Sequence, residues 1–80
     1  MIELLSQSKE MNKSIIEVEG WAENLKKIRA FVSKELECQI PKKELHEIVL
    51  AIDEACQNIV RYAYDGGSDN LIRVQIAKHN

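Results

Sequence analysis

The longest periodic pattern of apolar residues lies between residues 41 and 63. Apolar side chains recur there at steps of three or four residues, or at single steps between neighbours: Leu45, Ile48, Val49, Ile52, Ala55, Cys56, Ile59, Val60 and Ala63. This spacing predicts one amphipathic helix over about residues 41–63, with a wide buried face. Pro41 suits its first turn, because the N–H that proline lacks would have no partner there, and Glu44 adds a favourable negative charge.

A shorter amphipathic pattern precedes this helix, over roughly residues 21–37. Its apolar positions also recur at steps of three and four residues, with Phe31 beside them: Leu25, Ile28, Val32 and Leu36. Lysines and glutamates fill the other side, so the segment is predicted to be a helix packed by one face on a core. The helix is expected to end at the sequence CQIP, because the residue before a proline is disfavoured in helical geometry.

Two segments have the pattern of β-strands. SIIEVEG, residues 14–20, has a β-branched centre and ends at a glycine, which predicts a strand of about six residues. LIRVQIA, residues 71–77, alternates strictly and predicts a strand with one buried face. The buried side is expected to carry Ile72, Val74 and Ile76, and the other side Leu71, Arg73, Gln75 and Ala77. YDGGSDN before it is a predicted turn.

The predicted order is therefore strand, helix, long helix, strand, which is an α/β fold of the α+β sandwich kind. The 80 residues form one small domain, residues 1–80. Residues 1–13 are a poorly defined N-terminal segment in which IELL begins either a strand or a short helix. A chain this short buries only a modest core.

Composition and charge narrow the classes of function. The chain is 45% hydrophobic and 30% charged, which is typical of a folded domain and not of a disordered tail. Its net charge of −2 argues against a general nucleic-acid binder. No apolar run approaches the roughly 20 residues of a membrane span, and no secretion signal is visible at the N-terminus. Cys38 and Cys56 are too isolated for a metal or redox motif, so two reduced thiols in the cytoplasm are expected.

One edge of the predicted long helix is polar. Glu54, Asn58 and Tyr62 follow one another at steps of four residues, and Asp53 and Arg61 flank them. A carboxylate can deprotonate a hydroxyl or a water, an amide oxygen is a hard ligand for Mg²⁺, and an arginine can contact phosphate oxygens. The alternative from spacing alone is a solvated helix edge with no chemical role.

The segment ELHEIVLAIDEACQNIVRYAYDGG resembles the N box of the GHKL (histidine kinase-like) ATPase superfamily, and more narrowly that of the bacterial anti-sigma-factor serine/threonine kinases. The shared features are an acidic residue at Glu54, an asparagine four positions later at Asn58, and the closing pair Ala63–Tyr64. The preceding strand and helix also match, so that residues 14–77 are similar to the N-terminal half of such a domain.

The resemblance implies roles for the polar edge. Glu54 would be the catalytic general base that deprotonates a serine of a partner protein, or a water. Asn58 would coordinate the Mg²⁺ of bound ATP, and Arg61 and Tyr62 would lie near the phosphates. Tyr62 departs from the histidine that is more frequent in the serine kinases. The implied partners are a sigma factor and a serine-bearing anti-anti-sigma protein.

The chain lacks two further parts of that family's nucleotide site, an Asp-x-Gly-x-Gly box and a glycine-rich lid over the phosphates. The glycines Gly20, Gly66 and Gly67 do not form either pattern. The predicted fold is therefore a partial GHKL ATPase with an incomplete sheet, and weak or absent ATP binding and no activity are expected of these 80 residues alone. Unpaired strand edges and apolar faces favour a homodimer or a swapped dimer.

Two other functions stay open at the level of sequence. The chain is a non-catalytic protein-interaction or dimerisation module if Glu54 and Asn58 have no chemical role. Alternatively, the chain is a fragment of a sensor histidine kinase. This function is disfavoured because no separate phospho-acceptor helix is visible and His46 lies within the long helix.

Overall fold

The computed structural model describes residues 2–5 and 11–79, with side chains over residues 12–77. The elements follow the predicted order, with one additional strand at the N-terminus. They are β1 (Ile2–Leu5), β2 (Met11–Gly20), a 3₁₀ turn (Ala22–Asn24), α1 (Leu25–Leu36), α2 (Lys42–Asn58), a π-helical turn (Ile59–Ala63) and β3 (Ser68–His79).

The three strands form one sheet in the order β1–β3–β2. β2 pairs with β3 in antiparallel fashion, with Ile16 opposite Val74 and Glu17 opposite Arg73. β1 pairs with the other side of β3 in parallel, with Leu4 opposite Ile76. The α+β prediction is confirmed, and β2 begins at Met11 because β3 is long enough to pair with it there.

The N-terminal segment contributes more than the sequence indicated. IELL forms β1, and residues 11–13 extend β2, while residues 1 and 6–10 lie outside the described residues. The parallel pairing of β1 with β3 joins residues far apart in the sequence, so no local pattern in IELL could distinguish this strand from a helix.

The two helices and the inner face of the sheet share one hydrophobic core. α1 contributes all four of its predicted apolar positions, α2 and the π-helical turn contribute three residues, and the strands contribute the remainder. The buried cluster is Val18, Leu25, Ile28, Val32, Leu36, Ile52, Cys56, Val60, Ile72, Val74 and Ile76. The predicted helix of residues 41–63 is thus continuous from Lys42 to Ala63, and its last turn is π-helical.

The buried face of α2 is narrower than the pattern predicted. Ala55 and Ala63 are exposed, whereas Ile52, Cys56 and Val60 are buried. Successive residues are rotated by about 100° around a helix, so Ala55 points well away from the buried side on which Cys56 lies. The other predicted positions are half-buried and pack around the core: Leu45, Ile48, Val49 and Ile59.

The predicted exposed side of β3 is also partly buried. Leu71 and Arg73 are exposed as expected, but Gln75 and Ala77 are buried. β3 is the central strand, with β1 and β2 on its two sides, so the middle of its outer face is covered by neighbours. Alternation predicts which side a residue faces, and strand order decides how much of that side is covered.

None of the helices in the described part of the chain combines the length and apolarity that a membrane span requires.

The two free thiols are expected to differ sharply in reactivity. Cys56 has no exposed surface, and burial, with a smaller contribution from Asp53, raises the pKa of its thiol to about 11. Cys38 is exposed. Because the thiolate is the reactive form, titration with a chromogenic disulfide at pH 8 should modify one thiol in the native protein and two after denaturation. Rapid modification of both thiols in the native state would contradict this packing of Cys56.

Candidate functional site

Glu54 and Asn58 lie on the exposed side of α2. Both are two residues from the buried Cys56, and two residues turn a helix by about 200°, so both project away from the core. Four residues separate them, so they share one face. Neither side chain has a hydrogen-bond or ion-pair partner among the described residues, which leaves the carboxylate and the amide open to an incoming ligand.

The adjacent acid, Asp53, has a different role. Its Oδ1 accepts a hydrogen bond from Arg29 of α1 at 2.6 Å, in an ion pair that joins the two helices. Its Oδ2 accepts a hydrogen bond from Gln57 Nε2, also at 2.6 Å. Asp53, which the sequence places beside the polar edge, is thus a largely buried anchor between the two helices. Glu54 is therefore the acid of this pair that is free to act on a ligand.

The helix changes its hydrogen bonding directly after Asn58. Tyr64 N–H donates to the carbonyl of Ile59, five residues earlier, at 3.0 Å, which defines the π-helical turn. Such turns are frequent at functional sites because they shift the side chains that follow them. No local feature of the sequence indicated this change.

Packing of the Tyr64 and Trp21 rings fixes the end of this helix and the loop Asp65–Gly67 after it. Tyr64 donates its hydroxyl to the carbonyl of Leu71 at 2.8 Å, and its ring lies against Gly20 so closely that a Cβ there would be 2.2 Å from it. Gly67 approaches the ring of Trp21 in the same way, with 2.3 Å to a Cβ. Glycine is therefore required at both positions for the rings to pack.

Trp21 and Glu19 both contact Asp69 at the start of β3. Its Nε1 donates to Asp69 Oδ1 at 3.2 Å. Asp69 in turn raises the pKa of Glu19, chiefly through a hydrogen bond between the two carboxyl groups and then through its negative charge. These contacts tie the end of β2 to the start of β3.

A cleft of about 330 Å³ lies on the other flank of α2, towards the start of α1. Arg29, Gln57 and Arg61 supply its polar lining, and Ala22, Leu25, Val60 and Gly66 supply the remainder. Arg61 lines this cleft and also places its Cζ 5.7 Å from the ring centre of Tyr62, which is 74% exposed. Glu54 and Asn58 thus lie on one exposed face of α2, Tyr62 is exposed on the π-helical turn that follows, and Arg61 of the same turn lines the cleft.

The comparison with protein families agrees with this architecture. A model of the histidine kinase-like ATPase domain matches residues 18–80, which is more than half of the chain. The chain therefore belongs to the histidine kinase-like ATPase family, and the superfamily resemblance read from residues 14–77 is confirmed at that level. No curated protein and no solved structure matches the chain significantly.

Proposed function

We propose that this chain is the N-terminal part of an ATP-dependent protein serine kinase of the anti-sigma-factor type. The observation that carries the proposal is the exposed, unpartnered pair of Glu54 and Asn58 on the long helix of a histidine kinase-like ATPase domain. A helix edge with only a solubilising role does not need an amide one turn from a carboxylate on the surface opposite the core.

Asn58 fits a ligand of the Mg²⁺ that accompanies ATP. Its amide is exposed and makes no side-chain hydrogen bond within the described residues, so its oxygen is free, and Mg²⁺ prefers oxygen ligands. The ion, when bound with ATP, would neutralise negative charge on the phosphates during transfer. Arg61 and Tyr62 are the proposed contacts to phosphate oxygens, because they follow Asn58 within about one turn of helix.

Glu54 is the proposed general base. In this role the carboxylate accepts the proton of a serine hydroxyl, or of a water, as the oxygen attacks the terminal phosphate. Asp53 cannot share the role in this conformation, because Arg29 and Gln57 occupy its two oxygens. The proton acceptor and the metal ligand thus come from a single helix, whose end is held by the packing of Tyr64 and Trp21.

The serine kinase assignment brings proposed partners and a location with it. The partners are a sigma factor and an anti-anti-sigma protein that carries the phosphorylated serine, in the cytoplasm. Residues 1–80 alone are expected to bind ATP weakly and to be inactive, because close approach of backbone N–H groups to phosphate requires glycine-rich segments that this sequence does not contain.

A non-catalytic interaction module is the second candidate, and one observation favours it. Leu50, one turn before Glu54 on α2, is 54% exposed, and Tyr62, in the turn that follows Asn58, is 74% exposed. Large exposed side chains of this kind are common where proteins bind one another. In that case Glu54 and Asn58 would be contacts at the rim of an interface.

Substitution of Glu54 separates the two functions. In a chain extended past Asn80 by an Asp-x-Gly-x-Gly box and lid, Glu54→Ala should lower the rate of ATP hydrolysis by about 100-fold or more, the contribution typical of a positioned base. The affinity for Mg-ATP should change little. Glu47→Ala, which removes an exposed glutamate from the same helix, is the matched control and should hydrolyse ATP normally. Equal rates for Glu54→Ala and the parent protein would refute the base assignment.

A further inference from the structure

The outer edge of β2 has no strand beside it in the described part of the chain. β2 is ten residues long and pairs only with β3, so the backbone groups along its other side are open to a further strand. Edges of this length pair readily with other strands unless side chains prevent it. β2 contains no proline, and its irregularity falls at the far end, between Glu19 and Gly20.

Three side chains on the outer face of β2 are ordered so that the strand is complementary to an antiparallel copy of itself. Lys13, Ile15 and Glu17 alternate on this face and are all exposed, Ile15 by 43%. Neither Lys13 nor Glu17 has an ion-pair partner among the described residues. The pattern is cation, apolar residue, anion, centred on Ile15.

We propose that two copies of this chain pair through β2 in antiparallel fashion, about a two-fold axis at Ile15. In such a pair each residue lies opposite the residue at the same distance on the other side of the axis. Ile15 therefore contacts Ile15 of the second copy, and each Lys13 lies opposite a Glu17. Directly opposed charges and apolar pairs of this kind stabilise antiparallel strands.

Neighbouring registers do not satisfy these side chains. An axis at Ser14 places Lys13 opposite Ile15, and an axis at Glu17 brings two glutamates together. An axis at Ile16 places the apolar Ile15 opposite the charged Glu17, so the contact between the two isoleucines is lost. The axis at Ile15 is therefore selected by both charge and apolar contact.

The pairing leaves the proposed catalytic edge accessible. α1 packs over β2, whereas Glu54 and Asn58 project from α2 on the side opposite the core. The inference thus concerns a separate surface and does not depend on the kinase assignment.

Charge reversal with rescue tests the proposal in solution. Sedimentation equilibrium of residues 1–80 should show a dimer that dissociates on dilution. Lys13→Glu and Glu17→Lys should each weaken dimerisation by about ten-fold or more, because each creates two like-charge pairs across the axis. An equimolar mixture of the two variants should recover dimers, since both cross-strand pairs are then attractive. Lys43→Glu, an exposed reversal at the start of α2, should dimerise normally.

Three results would overturn the proposal. They are a monomer at several hundred micromolar chain, unchanged dimerisation in both reversal variants, and a failure of the mixture to recover dimers while circular dichroism shows folded chains.

A cysteine cross-link tests the register independently of charge. In a Cys38→Ser background, Ile15→Cys should oxidise to a covalent dimer, because opposed residues bring their Cβ atoms within about 5.5 Å, close to disulfide reach. Leu71→Cys, at an exposed site of the same sheet face on β3, is the control and should remain uncrosslinked. Equal cross-linking at both positions would overturn the register.

Discussion

Replacing Ile52 with alanine is expected to lower the free energy of unfolding by about 2–5 kcal/mol, the usual cost of removing a large aliphatic side chain from a packed core. Ile52 is only 5% exposed and lies one turn before Cys56, and both side chains pack α2 against the hydrophobic core. A domain of this size has roughly 0.05–0.15 kcal/mol of stability per residue, so the change removes a large part of the total.

Leu50→Ala is the matched control for this prediction. Leu50 lies two residues away on the same helix but is 54% exposed, so its loss creates no cavity and should change stability by less than about 0.5 kcal/mol. Urea unfolding followed by Trp21 fluorescence measures both variants. Equal urea midpoints for Ile52→Ala and Leu50→Ala would show that the buried side chains Ile52 and Cys56 do not hold α2 on the core.

The scaffold of the site was predictable because its determinants are local. The three- and four-residue spacing around Ile52 and Cys56 requires only one helix and one apolar neighbour, whatever that neighbour is. Glu54 and Asn58 could be proposed as site residues because they lie outside this pattern, at a step of four residues from each other. The same reasoning predicted β3 from the alternation of its apolar residues.

The contacts that position the site could not be predicted, because they join residues distant in the sequence. The Arg29–Asp53 ion pair connects residues on two helices, and the contact of Trp21 with Gly67 connects two loops. Gly66 and Gly67 were correctly assigned to a turn, but β3 begins at Ser68, three residues before the predicted strand, and only the structure shows that Gly67 is needed for approach to a ring. The parallel pairing of β1 is equally non-local.

The apolar pattern predicts more burial than the structure has at the margins of the core. Ala55 counted as apolar and so as part of the buried face, yet alanine is compatible with either environment and carries little positional information. Gln75 shows the reverse case, since a polar side chain on the outer face became buried when its strand took the central position.

The second large effect is expected at Asn58. If its amide oxygen binds the Mg²⁺ of ATP, then Asn58→Ala should remove most of the stabilisation that Mg-ATP gives to a complete domain. A ligand at about 100 times its Kd stabilises the folded state by about 2.7 kcal/mol, which corresponds to a rise in Tm of roughly 5–20 °C for domains of about 80 to 200 residues. Asn70→Ala removes an exposed asparagine from β3, away from Glu54 and Asn58, and should retain the full rise in Tm.

Thermal melting with increasing Mg-ATP is the most direct test that α2 carries a nucleotide site. We expect residues 1–80 to show little or no rise in Tm, and the chain extended by an Asp-x-Gly-x-Gly box and lid to show a saturable rise. Asn58→Ala in the extended chain should abolish that rise without lowering the Tm measured in the absence of ligand. An undiminished rise in Asn58→Ala, or no rise in the extended chain, would contradict the account.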